Sequence, residues 1–487
     1  AIKTFTQEVR LASSGDGPIN WLIGGFYQNE KLDTGRTITY GTDIRAFAEA
    51  LSGPVPATLL GALPATLRPA LTGRSNLYAL EFLQSLATPT LVRPGLTYFQ
   101  PGQGIDDYYN MKQTSYSLFG QVDYRVTDKL TLTGGLAYLN DDKKARSNVV
   151  MNDPFSALNL GAVPQFTALG LPGNLYSALG ALQFFYGNTT NHGPVNFPNA
   201  SESGELKADK ITYAVRAAYD FGAINAYVSY STGWKAGAYN LSSDSRPPNA
   251  NGVGRTANPE NVDVYELGVK ANFPGGYANV AVFKQSIKGF QSNAFTGLGY
   301  SLVNAGEESV KGFEVDSAWR PVSWLNLAAA VTYLDPKYDK FTGAACVNYD
   351  TVRCPVDPAT GRRPNFRDLT GDRPAGIPKW SFSTSATVNH DFGGDYQGYA
   401  RVEYDYTSKT QLTETTPPEL STWGQKVVNA SVGVTNTAKQ IEVMVWARNL
   451  TKDNSLISTF PTVAQDGSYS GYPNAPRTYG VTVRKSF

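Results

Sequence analysis

The sequence predicts an all-β chain: a transmembrane, antiparallel, up-and-down β-barrel with long, partly helical extracellular loops. Three observations carry that expectation. Strands pair one apolar face with one polar face, they are longer than those of a soluble sheet, and the connections between them alternate between short and long. Composition agrees: 29 Tyr, 23 Phe, 7 Trp and 47 Gly stand against only 3 Met and 2 His among 487 residues, a balance that favours strands and turns over packed helices. With 42 Lys+Arg against 41 Asp+Glu, the net charge of +1 offers no basic footprint for nucleic acid and no acidic tail. No run of ~18 apolar residues predicts a membrane-spanning helix. The segment from Ala1 has no basic head with an apolar core behind it, which places any signal peptide outside this sequence.

The strands can be read in order from their alternation. In "SYSLFGQVDYRV", Tyr116, Leu118, Gly120, Val122, Tyr124 and Val126 share one face, and Ser117, Phe119, Gln121, Asp123 and Arg125 the other. "ITYAVRAAYDF" sets Ile211, Tyr213, Val215, Ala217, Tyr219 and Phe221 against Thr212, Arg216 and Asp220, and "INAYVSYSTGW" continues the design from Ile224 to Trp234. "YQGYARVEYDY" opposes Tyr396, Ala400, Val402, Tyr404 and Tyr406 to Gln397, Arg401, Glu403 and Asp405. The same count along the chain gives about fifteen strands of roughly 10 to 15 residues, against the usual ~5 or 6. In a soluble sandwich, Val, Ile and Leu would dominate the apolar face and the strands would be short. Here the apolar face is rich in Tyr, Ala and Gly and the other carries full charges in mid-strand, which fits lipid outside and water inside.

The connections sort by size. Short turns are expected at Gly15, Asp128, Gly222, Pro274, Pro321, Gly393 and Thr437, all at one end of the barrel. Long connections are expected over 32–110, 146–205, 238–259, 291–307, 335–377, 411–424 and 451–474. In bacterial outer-membrane barrels the short side faces the periplasm, and Phe221, Phe273 and Phe392, each just before a short turn, stand where an aromatic girdle would lie. The chain ends "RTYGVTVRKSF", with Tyr479, Val481, Val483, Lys485 and Phe487 on one face, so the reading stays a strand to the last residue.

Two long connections are Ala/Leu-rich with Pro and Gly breaks, around 43–87 and 155–193, and predict short amphipathic helices folded over the mouth. Cys346 and Cys354, close together in an outer-facing loop, read as a local disulfide in an oxidising compartment. His192 and His390 are isolated, so neither a metal cage nor a catalytic dyad assembles. Asp106-Asp107 and Asp141-Asp142 read as solvated loop charge rather than a cation site. Without a phosphate loop or nucleophile elbow the sequence points to no enzyme and calls for no cofactor. Lys235, Tyr239 and Arg255 fall near one expected outer rim and are the candidate ligand contacts.

Several segments resemble the barrel of TonB-dependent outer-membrane receptors. "YSTGWKAGAYN" (230–240) with "NPENVDVYELGVKANF" (258–273) is similar to a strand, loop and strand from the middle of that barrel. "NAGEESVKGFEVDSAWRP" (304–321) resembles the next block, and "WARNLTKDN" with "PRTYGVTVRKSF" resembles its end. "FTQEVRLASSGDGPINWLIGGFYQNE" looks like a hairpin of the same barrel, not like the family's beginning. The resemblance implies a barrel of about 22 strands around an N-terminal plug, with a short motif that engages TonB. It also implies active import of a scarce nutrient, a siderophore-like iron chelate above all. Phe487 resembles the C-terminal signal read by the barrel assembly machinery. Neither the plug nor the TonB motif is in this sequence. Residues 1–487 are therefore read as a single domain, the C-terminal portion of such a barrel, with about 15 of its strands. Its implied partners are outer-membrane lipid, the TonB complex through the plug, the assembly machinery and a small-molecule substrate. A passive porin-like channel and a non-transport surface barrel presenting its loops to a partner remain as alternatives. If part of the wall lies elsewhere, the first and last strands should not pair with each other.

Overall fold

The computed structural model describes residues 1–151, 153–155, 158–183, 197–199, 205–241, 256–295, 300–358, 363–364, 366–462, 465 and 467–486. Fifteen strands form one antiparallel sheet in chain order. They are β1 (Ile2–Ala12), β2 (Ile19–Thr39), β3 (Gly104–Arg125), β4 (Leu130–Met151) and β5 (Glu205–Asp220). Next come β6 (Ile224–Lys235), β7 (Glu260–Phe273), β8 (Gly276–Phe295), β9 (Tyr300–Val322) and β10 (Leu325–Lys340). The wall ends with β11 (Trp380–Gly393), β12 (Tyr396–Gln411), β13 (Thr422–Asn436), β14 (Ile441–Arg448) and β15 (Thr478–Lys485). A short strand, Phe197–Asn199, adds to the upper part of β4. Among the described residues β1 pairs only with β2 and β15 only with β14, so the sheet has two unpaired edges, as expected.

Every strand is followed by its neighbour, so alternate connections share one end of the sheet. All seven short turns do so, from the β1–β2 turn to the β13–β14 turn. The strands themselves correct one expectation: β2, β3, β4, β8 and β9 run for 20 to 23 residues rather than roughly 10 to 15. A bilayer needs only ~9–11 tilted residues, so these strands rise well beyond it. The long connection expected over 291–307 is largely ladder, from Gln291↔Asn304 to Phe295↔Tyr300. Its apparent onset at Gly289 and Gly306 is a bulged stretch in which both glycines adopt positive φ (70° and 110°), so the pairing shifts register and continues.

Side-chain parity follows the strand period. The apolar set faces out over the whole wall: Leu118 is 63% and Val481 65% exposed, and Val215, Val228, Leu267, Val402 and Val445 behave alike. Two aromatic belts bound this surface. The upper belt crosses the strands as touching pairs, Tyr116–Tyr138, Tyr213–Tyr230, Tyr230–Tyr265, Phe313–Tyr333 and Phe382–Tyr404, with centroids 4.6 to 6.1 Å apart. The lower belt includes Phe221, Phe273, Phe392 and Tyr396, all exposed beside short turns. Along single strands the belts are spaced from 213 to 221, 265 to 273 and 396 to 404. At ~3.4 Å per residue and a tilt of ~40°, that spacing gives roughly 21 Å, close to the ~25 Å apolar band of such barrels.

The principal buried core lies above this wall, not within it. The connection after β2 folds into α1 (Ile44–Ser52), α2 (Ala57–Ala62), α3 (Arg68–Leu71) and α4 (Asn76–Ala87), and the one after β4 adds α5 (Pro164–Ala168). Both connections share one cluster that includes Leu71, Leu77, Leu80, Leu83, Phe155, Val163 and Phe166. Phe155 from the second lies against Tyr98 (5.5 Å) and Phe99 (4.8 Å) from the first, which fuses them into one cap.

Candidate functional site

The inner wall is polar, and its charges are tied to their neighbours. Thr133 Oγ1 donates to Asp123 (2.6 Å) and Tyr227 OH to Glu266 (2.6 Å), while the Arg216 guanidinium lies 4.2 Å from the Tyr227 ring centroid. Farther round, Arg401 reaches Glu403 (2.6 Å), and Glu442 accepts from Tyr399 OH (3.1 Å) and Arg484 (2.9 Å). Five inward rings lie flat on a glycine of the adjacent strand: Phe119 on Gly24, Tyr227 on Gly268, Phe283 on Gly312, Tyr399 on Gly433 and Trp446 on Gly480. A Cβ at any of these glycines would fall 2.3 to 2.8 Å from ring atoms, so the missing side chain is what lets the ring lie along the wall.

At the outer rim, asparagines and buried acids fasten the loops. Asn304 Nδ2 donates to the carbonyls of Asn258 (3.0 Å) and Gly289 (2.7 Å), and its Oδ1 accepts from Asn258 N (2.7 Å). Glu260 accepts from Gln291 N (2.5 Å) and Lys235 Nζ (3.2 Å), while Gln291 Nε2 holds the carbonyls of Ala236 and Asn258. After β14, Asn449, at φ 48°, binds Asp453 and the Ala475 carbonyl, and Asp453 accepts from Lys426 N. In the cap, the fully buried Glu81 accepts from the backbone of Gly95, Thr97 (3.3 Å) and Tyr98 (2.8 Å) and from Arg45 (2.7 Å).

A third arrangement stands at the mouth. Glu308, on the inward face of β9, is 3% exposed, and burial together with the like charges of Glu414, Glu260 and Asp339 pushes its carboxyl up to about 7. Tyr338, opposite it on β10, donates to Glu414 Oε1 (2.6 Å). Beside Tyr338 lie Phe341, Leu369 and Phe290.

The candidate ligand residues do not come together as one site. Lys235 is the ion partner of Glu260, although most of its side chain is exposed. Tyr239 stands in a separate two-residue strand, Ala238–Tyr239, paired to Thr256–Ala257, with its hydroxyl pushed up by burial and by Glu205 and Asp142. Arg255 lies outside the described residues, as do Phe487 and His192. Cys346 and Cys354 are joined, S–S 2.00 Å, in the loop after β10. Asp141 accepts from Gln113 and Ser115 and pairs with Lys143, and Asp142 lies 3.9 Å from Lys207, so the strand interior rather than a loop holds this acidic pair. Two groups that matter went unmarked in the sequence. The consecutive acids Glu307 and Glu308 on an alternating strand force one of them inward, and Glu81 is the lone acid in an apolar helix; either signal would have found them.

A family model described as TonB dependent receptor-like, beta-barrel, matches residues 10–450. The chain belongs to this family. Its barrel is thus a TonB-dependent receptor barrel of the bacterial outer membrane. Solved structures agree at the level of fold. The ferric yersiniabactin uptake receptor FyuA from Yersinia pestis superposes at TM-score 0.62 and 14% identity over 100% of this chain and 54% of its own. The siderophore receptor PiuA from Acinetobacter baumannii gives 0.56 and 14% over 99% and 55%. The copper transporter OprC gives 0.51 and 11% over 100% and 68%. The chain thus spans about half the length of the first two receptor structures. The segments that resemble the receptor family are the wall strands and the rim clamps built by Asn258, Glu260, Asn304 and Asn449.

Proposed function

We propose that this chain forms most of the wall and the ligand-capturing mouth of a TonB-dependent importer for a siderophore-like iron chelate. The observation that carries the reading is a receptor-family wall whose inner face is polar, beneath a cap built from two fused loops and a rim of clamps. Ferric chelates are the favoured cargo because the receptors that superpose on the chain include ones described as taking up ferric yersiniabactin and ferric catecholates. The two unpaired edge strands favour a wall completed by further residues, since each backbone group left open in a bilayer costs several kcal/mol. Those residues would also supply the plug on which TonB pulls. Phe487 would serve the assembly machinery, and the chain would carry no catalytic step.

The test is uptake of radio-iron presented as a panel of ferric chelates, in cells lacking the native gene and complemented with the whole gene. Accumulation should appear for one chelate class and vanish when TonB is removed. Accumulation that persists without TonB would favour a diffusion channel, and none for any chelate would sink the iron assignment.

A further inference from the structure

Four lysines stand side by side on the outward face near the open edge of the wall. The register sets Lys3 of β1 opposite Lys31 of β2, Lys31 opposite Lys112 of β3, and Lys112 opposite Lys144 of β4. Like charges directly opposite one another on a sheet repel, so a wall that needed only stability would not gather them. All four are exposed, and Arg146 adds a fifth exposed cation on the same face of β4. This face is the lipid-facing one, because the same parity continues down the strands through Tyr27 and Tyr116 to Val9, Leu118 and Leu136. The acids on it are already engaged. Glu205 takes Lys144 (3.0 Å) and Lys207 (2.6 Å), Asp142 lies 3.9 Å from Lys207, and Asp33 accepts from Tyr108 (3.0 Å) and Asn110 (2.5 Å). Among the described residues, the side chains of Lys3, Lys31 and Lys112 form no hydrogen bond or ion pair.

A second feature lies below the row on the same strands. There the apolar band holds a groove of ≈ 1150 Å³, walled by Val9, Trp21, Leu118, Leu136 and Val215. Lys31 and Lys112 stand four residues above Tyr27 and Tyr116. At ~3.4 Å per residue and a tilt of ~40° that is roughly 10 Å, so the charges meet lipid headgroups while the groove meets lipid chains. We propose that this outward face of β1–β5 binds an acylated lipid of the outer leaflet whose headgroup bears more than one phosphate. The phosphates would lie along the lysines and an acyl chain in the groove. Three strand spacings of ~4.8 Å make the row roughly 14 Å long, which a headgroup with separated phosphates fills better than a single one. A free phosphate would gain the lysines without the groove, and a neutral lipid the groove without the lysines. The site needs both.

The experiment takes the complete receptor in detergent, stripped of lipid, and titrates it with lipid A, an acylated disaccharide that carries two phosphates. Native mass spectrometry reads the bound lipid. Affinity should fall at least tenfold for the dephosphorylated lipid, and at least tenfold in the double variant Lys31→Gln/Lys112→Gln. Gly134→Leu, at a groove position where a Cβ would meet nothing within 4 Å, should fill the groove and weaken binding at least threefold. Lys288→Gln is the control: this exposed lysine has Glu307 directly opposite it, and its variant should bind as the parent does. Heat-modifiable migration checks that each variant is folded. Equal binding by the folded double variant or by folded Gly134→Leu, equal binding of the dephosphorylated lipid, or displacement of lipid A by millimolar inorganic pyrophosphate would each overturn the proposal. Iron uptake is no part of this readout, so the lipid site and the import reading stand or fall separately.

Discussion

Replacing Glu81 by alanine should open the cap while leaving the barrel intact. The Glu81 carboxylate sits on α4 with no solvent exposure and gathers three backbone N–H groups from 95–98 and one guanidinium nitrogen of Arg45. Removing one partner of a buried ion pair costs about 3–5 kcal/mol, and each stranded N–H adds ~1–3 kcal/mol where water cannot reach it. Two features temper the sum. Arg45 keeps Glu49 at 2.7 Å and the Tyr98 carbonyl at 3.0 Å, and the truncated side chain leaves space for water beside the freed amides. About 4 kcal/mol is therefore expected, comparable to the whole stability of a small domain. Hydrogen exchange read by mass spectrometry on the complete receptor gives the assay. Peptides covering 76–87 and 95–103 should exchange roughly a thousandfold faster, since each ~1.4 kcal/mol is tenfold. Peptides from β5 and β6 should be unchanged, because the cap cluster draws little on them. A change below tenfold in the cap, or equal loosening of the wall, would refute the assignment of Glu81 as the cap's polar anchor.

Glu308 should make the mouth pH-sensitive. With its carboxyl pushed to about 7 from an ordinary 4.5, the packed form holds a proton that the opened form releases between those values. Packing is then firmest below about 4.5 and weakens as pH rises toward 7, by at most about 3 kcal/mol, and Glu308→Gln should flatten that slope in exchange of 412–421. Reducing the Cys346–Cys354 bond, which closes a loop with a sequence separation of 8, should cost the 341–378 loop about 2.5 kcal/mol and expose it to proteases first; unchanged digestion would count against a structural role. Gly268→Val should lift the Tyr227 ring off the wall, because a Cβ there would lie 2.3 Å from the ring, and should break the Tyr227–Glu266 bond. A thermal midpoint identical to the parent's would show that the ring has room to move.

Parity was legible in the sequence because it is covalent: alternate residues of a strand point to opposite faces, so Leu118, Val215 and Val481 could be assigned to lipid without knowing their neighbours. Strand length was not, because the ladder continues through positive-φ glycines at 289 and 306 that locally read as the start of a loop. The cap's helices were visible as Ala/Leu-rich segments, yet their fusion depends on Phe155 meeting Tyr98 and Phe99 across a connection, which no local pattern encodes. The mouth was harder still. Glu308 acquires its environment from Glu260, Asp339 and Glu414, on three other segments, so its character exists only once the sheet is wound.

That contrast bears on why family resemblance identifies the barrel more readily than a ligand. The family-like blocks around 258–273, 304–321 and 446–454 place Asn258, Glu260, Asn304 and Asn449 in clamps whose hydrogen bonds are spent on backbone. Such groups hold any loop at the rim and carry no information about what passes it. The cap connections at 40–103 and 153–183 and the loops at 341–379 and 412–421 carry none of these blocks in their sequence. Glu308 feels both sets at once, Glu260 from a clamp and Glu414 from a loop. A substitution at Glu260 should therefore disturb both the rim clamp and the charge around Glu308, whereas one at Glu414 should alter that charge and leave the Asn258–Asn304 clamp in place. If cargo preference follows Glu414 more than Glu260 when each is exchanged for glutamine, specificity resides in the loops and not in the wall.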